Sequence, residues 1–298
     1  MTLTQILLRL GGVATRASLV RASSRRAFDA AVAHGDIVRD SYGRYALPVA
    51  DEARRAANRL SGVVSHRSAA LHWGWEVKTV PDLPDVTIRR KRHLADGQAD
   101  GVALHWADLK PDELGDMVTS VECTLVDCMR SLPFDEALAV ADSALRHRGI
   151  TKAPLAQLAD GIVGPGAPQA RRVTREATHL AANPFESVLR AIALDVPGID
   201  LKPQVVIADE EGRGRADLVD CNRRWVVEAE SHSWHSRRGA LRRDCRRYTK
   251  LVLLHWRVLR FAWEDVMFYP DYVRECLIAA ADVAPRQADP ASAADAAA

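Results

Sequence analysis

The strongest constraint on this chain lies in its C-terminal third, where the apolar spacing changes from helical to strand-like and back in a fixed order. NPFESVLRAIALDV, starting at Asn183, repeats its apolar residues at helical spacing and carries Pro184 in the first turn, where a missing N–H costs nothing. PQVVIADE, Arg215–Asp220 and Trp225–Glu230 then read as strands. Ser236–Leu251 predicts a long helix, WRVLRF a further strand, and Asp271–Ala281 a closing helix. A chain in this order buries its apolar surface by laying helices on a mixed sheet, which predicts an α/β sandwich over residues 183–281.

The same segment concentrates acids. Asp217 stands in RADLVD, and Glu228 and Glu230 stand in VVEAES. Residues two apart on a strand leave the same face, so Glu228 and Glu230 share one side, and Asp217 on the neighbouring strand can point at the same spot. Carboxylates that converge on an apolar sheet are costly without a cation between them. Mg²⁺ is the simplest such cation, because it takes carboxylates together with waters and phosphate oxygens. That chemistry serves phosphodiester hydrolysis. Glu186, on the preceding helix, offers a further carboxylate. Spacing alone favours the other reading, in which these acids face solvent and pair with Arg213, Arg215 or Arg223.

The net charge of +2 says little about partners, but its distribution says more. Arg237, Arg238, Arg242, Arg243, Arg246 and Arg247 crowd one segment against a single acid, Asp244. Arg16, Arg21, Arg25 and Arg26 form a second basic group. Each is either a phosphate-binding footprint or a solvated helix face. Cys123, Cys128, Cys221, Cys245 and Cys276 are odd in number and contain no CxxC pair, which argues against a zinc knuckle or a disulfide framework and fits a reducing cytoplasm. MTLTQILLRLGG is too short and amphipathic for a signal peptide, and no apolar run is long enough for a membrane span.

Ahead of the acidic segment the chain parses into further regions. Within residues 1–50, Leu3–Leu10 reads as a helix closed by Gly11-Gly12. Thr15 can cap a second helix to Ala22, and Ser23 or Ser24 a third to His34. Two short β-type runs follow around Ser41-Tyr42-Gly43. Three helices and a hairpin are the order of a winged helix–turn–helix, with Arg25 and Arg26 on the helix offered to a DNA groove. A dimerisation or packing role is the other reading. Residues 51–172 read as a mixed α+β region, with His66, His72 and His105 as core or surface histidines and GIVGPGAPQARR as the main linker. Residues 282–298 are rich in Ala, Asp and Pro and are expected to be disordered.

RADLVDCNRRWVVEAESHSWHSRRGALRRDCRRYTKLVLLHWRVLRF resembles the PD-(D/E)XK nuclease superfamily, above all the branch related to very-short-patch repair endonucleases. The resemblance spans about 95 residues and implies a restriction-endonuclease-like fold, Mg²⁺ or Mn²⁺ as cofactor, and DNA as substrate. It makes Asp217, Glu228 and Glu230 the metal ligands. Trp234-His235 fill the aromatic–His step, Asp244 and Arg247 the helix positions, His255-Trp256 and Arg260 the last strand, and Glu186 and Arg190 the first helix. Arg237, Arg238, Arg242, Arg243 and Arg247 would hold the DNA backbone. Glu230 and Ser231 depart from the usual Asp-Gly, His255 stands in place of a Gly, and the superfamily lysine is absent. His235 is then the candidate general base, or a loop-fixing histidine. Trp234 would wedge into DNA or sit in a core.

GGVATRASLVRA and GDIVRDSYGRYALP resemble the winged-helix region of AbiEi-type antitoxins of type IV toxin–antitoxin systems, and the segments from LSGVVSHRSAALHWGW to EALAVADSALR resemble the region that follows it. This resemblance implies DNA transactions, with a cognate toxin or a second copy as further partners. Two functions follow: a metal-dependent endonuclease targeted by a winged helix, or an antitoxin-like transcriptional regulator whose nuclease fold is non-catalytic.

Overall fold

The computed structural model describes residues 2–209, 212–230 and 238–282. It is of mixed α and β class and divides into two compact units, Met1–His179 and Leu180–Ala298. Among the described residues no helix is long and apolar enough to cross a membrane.

The first unit opens with α1 (Leu3–Arg9), β1 (Val13–Thr15), α2 (Arg16–Ala22), α3 (Arg25–Ala33), β2 (Val38–Ser41) and β3 (Arg44–Ala46). Caps set these boundaries. Thr15 Oγ1 accepts the Ser18 N–H at 3.0 Å and Ser24 Oγ accepts the Ala27 N–H at 3.1 Å, each satisfying a backbone donor that the helix itself leaves unpaired. The strands pair antiparallel in the order β1-β3-β2. Leu7, Leu19, Phe28, Ile37 and Tyr45 fill the core beneath them, with the Phe28 and Tyr45 rings edge to face at 4.8 Å.

The unit continues through α4 (Glu52–Leu60), β4 (Val63–Val64), α5 (His66–His72), β5 (Asp85–Ile88), β6 (Ala103–Trp106), α6 (Val121–Ser131), α7 (Phe134–Arg146), α8 (Lys152–Gly161) and α9 (Ala167–Glu176). β5 lies between β4, antiparallel to it, and β6, parallel to it. The stretch expected to be the main linker is not one. Its second half is α9, which packs on α6, α7 and α8 and buries Ala167, Ala170, Val173 and Thr174. Gly164, Pro165 and Gly166 mark the turn into that helix; Gly164 and Gly166 both take positive φ, and Gly166 also lies against the Arg130 main chain. The boundary between units falls later, between His179 and Leu180.

The second unit comprises α10 (Pro184–Ala193), β7 (Lys202–Asp209), β8 (Gly212–Asp220), β9 (Trp225–Glu230), α11 (Arg238–Leu253), β10 (Arg257–Ala262), α12 (Trp263–Phe268) and α13 (Pro270–Asp282). The sheet order is β10-β9-β8-β7; only the β9–β10 pair is parallel. α10, α12 and α13 share one core with Leu218, Val227 and Phe261 of the sheet. Ala216, Val219 and Val226 join Leu251 and Tyr248 of α11 in a separate one. The period of two along β9 explains the division: Val226 and Val227 point to opposite faces, each toward its own helix layer. The short α12, absent from the sequence reading, continues directly from β10.

Candidate active site

The site begins where two strands part. β8 and β9 pair through Asp220↔Trp225, Val219↔Val226 and Leu218↔Val227, and no further, although both strands continue. On its other side β9 stays paired with β10 as far as Glu230↔Ala262. The fork leaves β9 amides without a β8 partner, and the Asp217 side chain fills it: Oδ2 accepts the Ala229 N–H at 2.9 Å. Oδ1 of Asp217 accepts from Gln204 Nε2 at 3.3 Å, and the same Nε2 donates to Glu186 Oε2 at 2.7 Å.

Glu186 is buried in the first turn of α10. It accepts the Ala182 N–H at 2.8 Å and Asn183 Nδ2 at 3.1 Å, while its own N–H is capped by Asn183 Oδ1 at 3.0 Å. Burial, with Asp217 nearby, raises its carboxyl above the usual range. Arg190, expected beside it, is buried on the same helix.

Glu228 and Glu230 both reach residues of α11, but they meet different partners. Glu228 is 4% exposed and takes Arg247 at Oε1. Burial in the sheet, reinforced by Asp217, pushes its pKa up to about 8 despite that arginine. Glu230 accepts Tyr248 Oη and Arg260 Nε (3.0 Å), both at Oε1. Burial would raise its pKa, but the hydrogen bonds from Arg260 and Tyr248 outweigh it and hold the group below the ordinary carboxylate range. The cations stack as well: Arg260 lies 4.1 Å and Arg247 5.5 Å from the Tyr248 ring centroid.

Asp217 is thus tied to β9 at Ala229, next to Glu228, Glu186 is tied to Asp217 through Gln204, and Glu230 turns to Arg260 and Tyr248. The Arg213 side chain lies outside the described residues; among the described ones Arg247 pairs with Glu228 and Arg260 with Glu230, in place of the expected Arg215 and Arg223. Among the described residues no group of three or more His, Cys, Asp or Glu side chains closes around a metal position. The donor set still suits a hard dication in part: Asp217 and the buried Glu228 are adjacent oxygen donors whose mutual repulsion a cation would relieve.

Arg242, Arg243 and Arg246 are exposed along α11, and Arg238 heads that helix. Trp234, His235 and Arg237 lie outside the described residues. Trp256 packs in the α11 core, and His255, expected on the last strand, instead closes α11 in the left-handed region at φ 61°. That conformation favours glycine, which is the physical sense of the glycine expected there. In the first unit Arg25 is 80% exposed at its side chain and faces Asp29 one turn on at 3.8 Å, and Arg26 is exposed.

Sequence reasoning missed Gln204 and Tyr248. Gln204 was within reach: the antiparallel pairing of β7 with β8 sets it across from Asp217, between the pairs Pro203↔Leu218 and Val205↔Ala216. Nothing in the spacing singles out Tyr248.

The first unit holds a second polar cluster. The rings of His66 and His105 stack at 3.6 Å, and His105 Nε2 lies 2.9 Å from Asp85 Oδ1. His66 Nδ1 is 3.0 Å from Ser65 Oγ and 4.0 Å from Asp127 Oδ2, and Cys123 Sγ donates to Asp127. Burial, then the His105 and Arg67 charges, lowers His66 to about 4, while burial raises Asp127 to about 6. Parallel stacked rings direct their in-plane lone pairs side by side, so the two imidazoles do not converge on one ion.

No family model matches the chain. It is 27% identical over 259 residues to "Uncharacterized protein Rv2248" of Mycobacterium tuberculosis strain H37Rv, covering 83% of this chain and 93% of the relative. "Uncharacterized protein MT2308" of strain CDC 1551 gives the same figures. The crystal structure of the Rv2827c protein from Mycobacterium tuberculosis aligns over 70% of this chain and 87% of that one, at 15% identity and a TM-score of 0.34, too low to assign a common fold.

Proposed function

We propose that the second unit is a restriction-endonuclease-like domain that hydrolyses DNA phosphodiester bonds with Mg²⁺ or Mn²⁺, and that residues 1–50 are a winged helix–turn–helix that brings it to DNA. The observation that carries this reading is the Asp217 carboxylate set in the β8–β9 fork against the buried Glu228. Asp217 and Glu228 would hold the metal, with Glu230 beside them. When bound, the metal supplies Lewis-acid stabilisation of the phosphate and a more acidic water.

The remaining roles belong to the chain. The Ala229 N–H and Gln204 fix Asp217, so its orientation is set before any ligand arrives. Glu186 steadies Gln204 from α10. Arg242, Arg243 and Arg246 line the exposed side of α11, suited to a phosphate backbone. His235, from the resemblance, is the proposed base. Arg25 and Arg26 on α3 give the first unit a cationic edge for DNA.

A second reading has an observation in its favour. Arg247 already occupies Glu228, and Arg260 with Tyr248 occupies Glu230, as in a fold that retains its acids only as ion pairs. The protein would then be an antitoxin-like DNA-binding regulator. The two readings separate in a plasmid-nicking assay. The enzyme reading expects nicking with Mg²⁺ or Mn²⁺, abolished in Asp217→Ala and Glu228→Ala; DNA binding without metal and without cleavage by the intact protein would sink it.

A further inference from the structure

We propose that Arg247 is a latch: it holds Glu228 in the absence of DNA, and a DNA phosphate draws it away, so that nucleic acid and divalent cation bind this site cooperatively. The inference rests on the nuclease reading above and concerns the order in which that site assembles.

Three observations carry it. Arg247 turns inward where its α11 neighbours Arg242, Arg243 and Arg246 are exposed: one Arg247 Nη donates to Glu228 Oε1 and to the Arg215 carbonyl, the latter at 3.0 Å. The Arg247 side chain is nevertheless 30% exposed, so a phosphate bound by its neighbours on the same helix can approach it. The residue it holds is the one most in need of a counter-charge, since Glu228 is buried beside Asp217. The carboxylate that Arg247 holds is thus one that a metal ion would require, and the arginine that holds it stands on the same helix as the basic residues suited to DNA.

Tyr248 gives the latch somewhere to go. Its ring stacks with Arg260 at 4.1 Å and with Arg247 at 5.5 Å, while its hydroxyl donates to Glu230. A guanidinium leaving Glu228 keeps part of its stabilisation on that ring. Two cations competing for one carboxylate cannot both be bound at full strength, so a ligand that removes Arg247 strengthens metal binding. Linkage then requires that metal strengthen DNA binding by the same factor.

The test measures Mn²⁺ binding to the full chain by electron paramagnetic resonance, with and without a short phosphorothioate DNA duplex, and therefore needs no turnover. The duplex is expected to tighten Mn²⁺ binding by about tenfold, within the usual span of coupling between sites. Arg247→Ala is expected to bind Mn²⁺ tightly without DNA and to lose that enhancement. Arg247→Lys, which keeps the charge but replaces the planar guanidinium with a compact ammonium, is expected to fall between. Equal Mn²⁺ affinity of the wild type with and without duplex would overturn the latch while leaving the nuclease reading intact, as would full enhancement in Arg247→Ala. Absence of Mn²⁺ binding from wild type and both variants, with or without duplex, would overturn the nuclease reading and the latch together.

Discussion

Two residues of the first unit titrate in the reverse of their ordinary order, and this has a measurable consequence. His66 falls to about 4 and Asp127 rises to about 6, and the groups facing them are His105 on β6, Asp85 on β5, Arg67 on α5, Cys123 and Arg130 on α6, and Glu113. For His66 the unfolded chain binds the proton more readily between pH 6.5 and 4, so acidification through that window removes stability, by at most about 3 kcal/mol. For Asp127 the folded chain binds the proton more readily between about 6 and 3.8, so the same acidification returns stability. The two opposing slopes offset each other between pH 6 and 4. Asp127→Asn removes the offsetting slope, and its urea midpoint should fall more steeply from pH 6.5 to 4 than that of the wild type. Equal slopes in the two proteins would show that the pair does not compensate. None of this was legible in spacing: His66 and His105 are far apart in sequence and meet only because β5 and β6 pair in parallel beside α5.

Elements were read best where a local signal bounded them. Thr15 and Ser24 cap the helices expected of them, and the Trp225–Glu230 strand has its expected ends, because caps and period-two runs are properties of neighbouring residues. α9 was hidden because its boundary depends on distant partners. At its N-cap, Gly166 takes φ 79°, and a Cβ added there would lie 2.6 Å from the Arg130 carbonyl oxygen. A side chain would meet both a left-handed backbone and a neighbouring main chain that cannot yield cheaply. Gly166→Ala should therefore lower unfolding stability by about 2 kcal/mol or more, read as a reduced urea midpoint with unchanged slope. The candidate site shows the same division. The acids of β9 were legible from spacing, but their partners on α11 and β10 depend on how those elements pack across the sheet.

At the scale of the whole chain, each unit holds its own buried clusters. Leu19, Phe28 and Leu60 belong to cores of the first unit, and Leu189, Val227 and Val219 to cores of the second. A division between His179 and Leu180 should yield two fragments that each unfold cooperatively, followed by circular dichroism on heating. A division inside the Gly/Pro stretch, at Gly164, should instead yield a first fragment with a broad, low transition, because it strips α9 from α6, α7 and α8. Equal behaviour of the two N-terminal fragments would contradict the structural role given to α9.

The carboxylate in the β8–β9 fork also bears on how genetics at this locus should be interpreted. Asp217 accepts a backbone N–H that no neighbouring strand takes, so it is part of the sheet as well as of the acidic site. An alanine allele removes both at once, and its phenotype mixes a lost charge with a loosened strand. An asparagine allele keeps an oxygen for the Ala229 N–H while it removes the charge and the acceptor that faces Gln204. Asparagine at this position is thus the separation-of-function allele, and the difference between the two alleles measures how much of Asp217 is architecture.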